Sequence, residues 1–478
     1  MNQCWSNEAQ KLSRNVGEQF KQAFVNNERT QFDAEVFLSL FDQYLREPST
    51  IDWTRMKPLS SKFQRNYESL PHCSGNELDK VVKHLSVIKL NGGLGTTMGC
   101  DGPKSLIEVR KGLTFLDFAI GHVQYFNKRN NSSVPLVLMN SFNTEKAVCE
   151  YLADRKVNLK TFLQSKCPRI FVENSMPVPF KYGSENVEGW YPPGHGNIFK
   201  SMQFTGVLDE LLAQGRDICF ISNIDNTGAT IDLRIAKLMV ESDLEYIMEC
   251  TEKTKVDRKG GTLIEINGYI MHLEMPQVPK DHINDFCSTD IFKIFNTNNI
   301  WVNLRAVKKK LAEMKMEIIV NRKILSTGEF VIQLETSVGG TIRNFDKVLS
   351  IQVPRSRFLP VKNTQDLLAI MSDLYEVRED FSLQFVRKGK VPVIELSKYF
   401  SKVSEFQKRF REIPQLRQLK RLKVEGDVYF GHRVVLKDNV EIAADQGQQL
   451  EVAEGECLEN IKLIQKAHYE VQRIPLDH

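Results

Sequence analysis

Two residues stand where phosphate chemistry would want them, Lys104 and Asp225; Lys259 and Lys362 are further lysines, the latter on composition alone an ordinary surface residue. Lys104 closes the stretch VIKLNGGLGTTMGCDGPKSL, residues 87–106. Its glycines at 92, 93 and 95 let the backbone take positive φ and approach a ligand closely. N–H groups freed of side chains cradle an anion, and one ammonium offsets its charge, as a nucleoside triphosphate requires. The stretch is neither G-x-x-x-x-G-K-[ST] nor G-x-G-x-x-G, and a plain glycine turn is the alternative reading. Asp225 follows the apolar run Ile218–Ile221. A carboxylate there suits Mg2+, which keeps its waters and takes one or two carboxylates plus phosphate oxygens. A turn or a helix N-cap is the alternative. Lys259 precedes Gly260 and Gly261, and Lys362 ends VPRSRFLPVK. Ile294–Asn299, IFNTNN, concentrates the paired donors and acceptors that sugar hydroxyls need. No Ser-His-Asp or Cys-His arrangement is recognisable.

The elements around these residues alternate. Val87, Ile88 and Leu90, then Val134–Met139 and Ile218–Ile221, are short apolar runs of the buried-strand kind. Residues 113–126 and 231–239 read as amphipathic helices. The alternation predicts an α/β fold with a mostly parallel sheet, whose ligands sit at the carboxyl ends of strands. Residues 1–84 are expected to be mostly helical, from the near-helical spacing of Phe20, Phe24, Phe37, Phe41 and Leu45, and show no chemistry. Residues 85–376 form the expected catalytic domain and residues 377–478 a third. In that third part Leu422, Val428, Val434 and Val440 recur every six residues, the period of a left-handed parallel β-helix. With so few hexads a small antiparallel sheet is the alternative. Phe406–Leu422 is expected to be a basic helix with a solvated face.

The chain has 478 residues, 41% hydrophobic and 26% charged, enough for two or three globular domains. Its 64 basic and 60 acidic residues leave a net charge of +4, which argues against a nucleic-acid or membrane partner. Nine scattered cysteines without a C-x-x-C pair, and no apolar leader, predict a reduced, cytoplasmic protein.

The string LNGGLGT, then MG and GPKS, resembles the nucleotide loop of the UDP-glucose pyrophosphorylase (UTP–glucose-1-phosphate uridylyltransferase) family. Related N-acetylhexosamine enzymes carry a loop of the type LAGGQGTRLG instead, so Asn91 and Leu94 favour the glucose family. Five further stretches resemble it, covering most of residues 85–362. The resemblance implies a Rossmann-like, GT-A-like nucleotidyltransferase domain that uses Mg2+, UTP and glucose 1-phosphate and forms UDP-glucose and pyrophosphate. It implies nucleotide contacts by Leu90, Asn91, Gly92, Gly93, Lys104, Gln164, Gly194, Asn223 and Lys362. It implies sugar-phosphate contacts by Gly92, Gly93, His195, Asn223, Ile224, Asp225, Lys259, Glu274, Asn296 and Asn298. Lys104 and Lys362 take the catalytic roles and Asp225 the metal. Gln164, in FLQSKCPR, reads uracil: its amide offers one donor and one acceptor, matching N3–H and O4. Cys167 stands where the family has tyrosine. The C-terminal RIPLDH resembles members that assemble end to end, which implies a homo-oligomer through the C-terminal domain.

The rival readings are another hexose 1-phosphate, a hexapeptide-repeat acyltransferase using His432 or His468, and a non-catalytic binder of nucleotide sugars.

Overall fold

The computed structural model describes residues 2–47, 50–100, 102–110, 112–254, 257, 260–467 and 469–476. Contacts divide the chain into two compact units that interleave along the sequence. One holds Met1–Gly92, Asn130–Asn223 and Ile231–Arg355; the other holds Gly93–Arg129, Ile224–Thr230 and Ser356–His478.

The first unit is built on eight strands: β1 (Gln64–Asn66), β2 (Leu85–Asn91), β3 (Leu136–Asn140), β4 (Lys160–Leu163), β5 (Ile218–Asn223), β6 (Tyr246–Glu252), β7 (Ile294–Asn303) and β8 (Val348–Gln352). Their order across the sheet is β1-β8-β6-β7-β5-β2-β3-β4. Every neighbouring pair is parallel except the two made by β7. The sheet is therefore mixed and mostly parallel, as expected. Every residue of β2 is buried, as befits a strand covered on both faces. β2 and β5 are parallel neighbours, with Asn223 opposite Leu90, so both release their chains at the same sheet edge. The helix Leu233–Glu241 matches the expected one; Asp232 caps it by accepting from the N–H groups of Arg234 and Ile235.

The N-terminal residues form α1 (Asn2–Phe24) and α2 (Glu28–Arg46), the second started by an Asn27/Thr30 capping box. Phe20, Phe37 and Phe41 pack with Cys167, Trp190, Tyr191 and Leu334 in one apolar cluster. The segment after α2 is less helical than expected, because Gln64–Asn66 is drawn into the sheet edge as β1.

In the second unit the helix expected over 113–126 runs Phe115–Arg129. The basic helix expected over 406–422 is a correction. The helix spans only Val403–Arg409, and Gln415–Glu425 is a strand, β10. Pro414 separates the two, and Leu416, Leu419 and Leu422 are buried at a three-residue spacing that imitates a helical face. With β9 (Val393–Leu396), β11 (Asp427–Phe430), β12 (Val435–Ala444), β13 (Gln449–Val452), β14 (Cys457–Gln465) and β15 (Gln472–Pro475), this strand completes the C-terminal segment. β9, β10, β12 and β14 pair in parallel, as do β11 and β13; β15 closes the larger sheet antiparallel to β14. Leu422 lies opposite Val440, three hexads apart, and the four hexad residues are all fully buried. That excludes the antiparallel alternative. No helix of the described residues is long and apolar enough to cross a membrane.

Candidate active site

In the first unit a polar group gathers at the shared carboxyl edge of β2 and β5. Asn91 ends β2; its amide donates to Asn140 Oδ1 at 2.7 Å, and its own Oδ1 is buried without a partner. Thr144 Oγ1 donates to the Asn91 carbonyl and Ser141 Oγ to that of Gly92, both at 2.8 Å. Gln164 is 4% exposed, and its Oε1 also lacks a partner. Its Nε2 lies over Gly92, where a Cβ would come within 1.9 Å. Glycine is needed there for that close approach.

A bulge in β7 supplies the third such oxygen. Glu249 pairs with Asn299 but Cys250 with Asn296, so Thr297 and Asn298 loop out. Asn298 takes φ +58°; its amide donates to Asn223 Oδ1 at 2.8 Å, and its Oδ1 is buried and unpartnered. Asn296 Oδ1 accepts from the Asn298 N–H at 2.8 Å, which turns its amide nitrogen to His272 Nε2 at 2.9 Å. His272 is therefore neutral, with its proton on Nδ1 toward Ser337 Oγ at 3.2 Å. Gly261 and Gly339 make room for this ring: a Cβ would stand 2.3 Å and 2.9 Å from its nitrogens. Glu274, half-buried, caps the turn Met275–Gln277 and lies 3.4 Å from His272 Nε2.

Gly194 has φ +82°, and a Cβ there would meet the Thr336 carbonyl at 2.4 Å. The next residue, His195, accepts from the Val338 N–H through Nδ1 at 3.0 Å. Burial lowers both imidazoles, His195 to about 4 and His272 to about 3, the latter also by the neighbouring His195. His272 is only 2% exposed. A folded-state value below the ordinary 6.5 means the unfolded chain binds the extra proton first. Stability is therefore complete above pH 6.5 and falls as the pH drops toward 3. His272 alone is expected to remove about 1–2 kcal/mol between pH 7 and pH 5. Melting curves across that range check this; His272→Gln should flatten them.

The second unit carries the charges. The loop after Gly92 closes on itself: Lys104 N–H donates to the Gly93 carbonyl at 3.2 Å and Gly95 N–H to that of Gly102 at 3.1 Å. A Cβ at Gly93 or Gly102 would meet no described residue beyond its chain neighbours within 4 Å, so the backbone there faces open space. Lys104 Nζ is ion-paired with Asp225 Oδ2, each side chain about one-sixth exposed. Asn226 ties the turn that follows to the segment leading to Lys362: its Oδ1 accepts from the Leu359 N–H at 2.8 Å, and its amide donates to the Arg357 carbonyl at 3.2 Å. Lys362 is exposed, and its N–H donates to Asp366 Oδ2 at 2.8 Å. Burial raises the Asp366 carboxyl, against the pull of the Lys362 and Asn363 N–H groups and of the Lys362 and Lys104 charges. Both ammonium groups thus act on one neighbourhood.

Leu90 and Ile224 are buried. Lys259 lies outside the described residues. Among the described residues no three His, Cys, Asp or Glu side chains cluster to hold a metal. Asp225 alone still fits Mg2+, because one carboxylate is enough when phosphate oxygens and waters complete the shell, and a cationic group already rests on it. Ser141, Thr144 and His272 were not picked out from the sequence. The S-x-x-T spacing before the helix Glu145–Asp154 was the one available signal for the first two.

The family model described as UTP–glucose-1-phosphate uridylyltransferase matches residues 34–437. The protein of that name from Musa acuminata is 46% identical over 444 residues, 91% of this chain and 95% of its own length. Its Saccharomyces cerevisiae counterpart is 44% identical over 448 residues, 91% and 89% respectively. A Leishmania major UDP-glucose pyrophosphorylase variant solved with UDP-glucose superposes with a TM-score of 0.84 at 31% identity, over 95% of this chain and 99% of that one.

Proposed function

This chain belongs to the UTP–glucose-1-phosphate uridylyltransferase family, and from that premise we propose how its residues share the reaction. It transfers the uridylyl group of UTP to glucose 1-phosphate, forming UDP-glucose and pyrophosphate. The observation that carries the division of labour is that, of the seven buried side-chain oxygens without partners among the described residues, three lie on Asn91, Gln164 and Asn298. Such atoms are costly unless a ligand satisfies them. The N3–H of uracil satisfies Gln164 Oε1, with Gly194 placing backbone against the base. Sugar hydroxyls satisfy Asn298, with Asn223, Asn296, His195 and Glu274 around the hexose. Asn91, Gly92 and Gly93 hold the phosphates by the backbone and side chains at the end of β2.

A phosphate oxygen of glucose 1-phosphate attacks the α-phosphorus. A new P–O bond forms, the bond to the oxygen bridging the β-phosphorus breaks, and its electron pair leaves with pyrophosphate. The nucleophile is already an anion at neutral pH, its second pKa being about 6, so no general base is needed. Positioning and fixed positive charge supply most of the rate. Lys104 and Lys362 provide that charge. Asp225 would hold Mg2+, which when bound neutralises phosphate oxygens and orients the leaving group.

The parallel rungs of the C-terminal strands support a left-handed parallel β-helix, and the RIPLDH tail a homo-oligomer through it. The eight cysteines described are free thiols, in keeping with a reducing compartment such as the cytoplasm.

Pyrophosphate release from UTP and glucose 1-phosphate in Mg2+ tests the assignment. Asp225→Asn is expected to raise the Mg2+ needed for half-maximal rate by about tenfold, one lost charge-assisted contact. An unchanged Mg2+ dependence would remove Asp225 from the metal site.

A further inference from the structure

We propose that Arg29 and Asp33, on the N-terminal helix α2, are positioning residues that fix the base-reading glutamine and so set the preference for UTP over CTP. The inference rests on the assignment of Gln164 to uracil.

Gln164 follows β4, the last strand at its edge of the sheet. Residues 164–166 therefore run past the sheet's end, and their backbone polar groups need other partners. Helix α2 supplies several of them. The Arg29 guanidinium donates to the Leu163 carbonyl at 3.3 Å and also to the Gln164 carbonyl. Asp33 Oδ1 accepts from the Lys166 N–H at 3.1 Å. Asp33 also pairs with Arg29, Nε to Oδ2 at 3.3 Å and Nη2 to Oδ1 at 3.2 Å. Two further groups complete the hold: Ser165 N–H donates to Asn197 Oδ1 at 2.8 Å, and Gln164 N–H to the Asn140 carbonyl at 3.0 Å. Arg29 is itself fixed against the rings of Phe32 and Phe204, 5.8 Å and 5.6 Å from their centroids, which stack 4.3 Å apart. Burial raises the Asp33 carboxyl despite the guanidinium beside it; Asp33 is largely buried and Arg29 partly so, which shields the pair from water in part.

This matters because a glutamine amide is two-faced. Uracil offers N3–H and O4; cytosine offers the opposite pair, N3 as acceptor and an amino group as donor. A glutamine free to shift and turn would serve either base. Here Nε2 is laid against Gly92 and Oε1 is left open. The open oxygen attracts the N3–H of uracil and repels the lone pair of cytosine N3. That arrangement holds only while the backbone beneath the side chain stays in register. The N-terminal helices thereby acquire a task in substrate choice.

The test uses the full-length chain. Arg29→Met is expected to raise the KM for UTP about tenfold, the usual effect of one lost charge-assisted hydrogen bond, and to lower the UTP:CTP ratio in kcat/KM about as much. The KM for glucose 1-phosphate and kcat should stay within about twofold. On a Gln164→Ala background Arg29→Met should add nothing, since both changes remove one function. A folded Arg29→Met protein with unchanged UTP KM and unchanged UTP:CTP ratio overturns the proposal, as does an effect that multiplies with Gln164→Ala. If Arg29→Met does not fold, Arg29→Lys serves instead. Lysine keeps the pair with Asp33 but has no fork to span two carbonyls, so it should shift both quantities in the same direction by less; no shift overturns the proposal. Gln164→Ala alone separates the two levels. If it leaves the UTP:CTP ratio intact, the base-reading assignment fails and the inference with it. If it abolishes the preference while Arg29→Met does not, only the inference fails.

Discussion

Lys362→Ala is expected to lower turnover by about 10²–10³ at saturating UTP and glucose 1-phosphate, the range for one preorganised group removed from a developing negative charge. The side chain is exposed, and it is the backbone N–H, kept by alanine, that donates to Asp366. The capping box of Asn363 and Asp366 that starts the helix Thr364–Met371 also stays. The start of that helix should therefore survive while kcat falls. The loss should appear in kcat more than in KM, because the charge is needed most as the phosphorus gains a fifth oxygen and pyrophosphate departs. Lys104→Ala belongs to the same class but differs in one respect: it also strips Asp225 of its ion pair. Its Mg2+ concentration for half-maximal rate should shift from the parent's, where that of Lys362→Ala does not. Near-normal kcat in Lys362→Ala at saturating substrates would rule this lysine out of the catalytic step.

Gly92→Ala should act on binding instead. A methyl group there would stand 1.9 Å from Gln164 Nε2, far inside any tolerable contact. The backbone of Gln164 is held on several sides, so the side chain must swing away rather than the loop retreat. The expected result is a rise of about 10–100-fold in the KM for UTP, one or two hydrogen bonds to a base lost with their desolvation uncompensated. Substrate-titration kinetics measure it. Gly93→Ala is the contrast in folding: no described residue comes within 4 Å of its added carbon, so its melting temperature should match the parent's. A UTP KM unchanged by Gly92→Ala would mean that Gln164 does not contact the base.

What the sequence disclosed and what it hid follow physical lines. The strand before Asn91, the helix near 115 and the carboxyl-end position of Asn223 were legible because each rests on local periodicity and on glycines with one structural meaning. The segment 410–422 was not. Three leucines spaced by three fit a helical face as well as a coil of parallel strands, and only pairing with residues 18–20 positions downstream decides between them. Arg29 was invisible for a similar reason. Its partners are carbonyls some 134 residues away, and a carbonyl leaves no mark in the letters. His272 was hidden because its neighbours, Asn296 and Ser337, come from distant strands and loops. The interleaving of the two units likewise depends on which excursions fold back on which element, a long-range property that composition does not carry.

The C-terminal strands climb in parallel until β15 reverses direction against β14. A stack of parallel rungs has no intrinsic end, since each exposed rung is a template for the next. The reversal supplies the stop. Pro475 has no amide proton to offer a further strand, and Arg473 places a charge on the same short stretch. Cutting the chain before Gln472 would bare the Cys457–Gln465 rung, and the oligomer proposed through this tail should give way to open-ended, fibrous self-association.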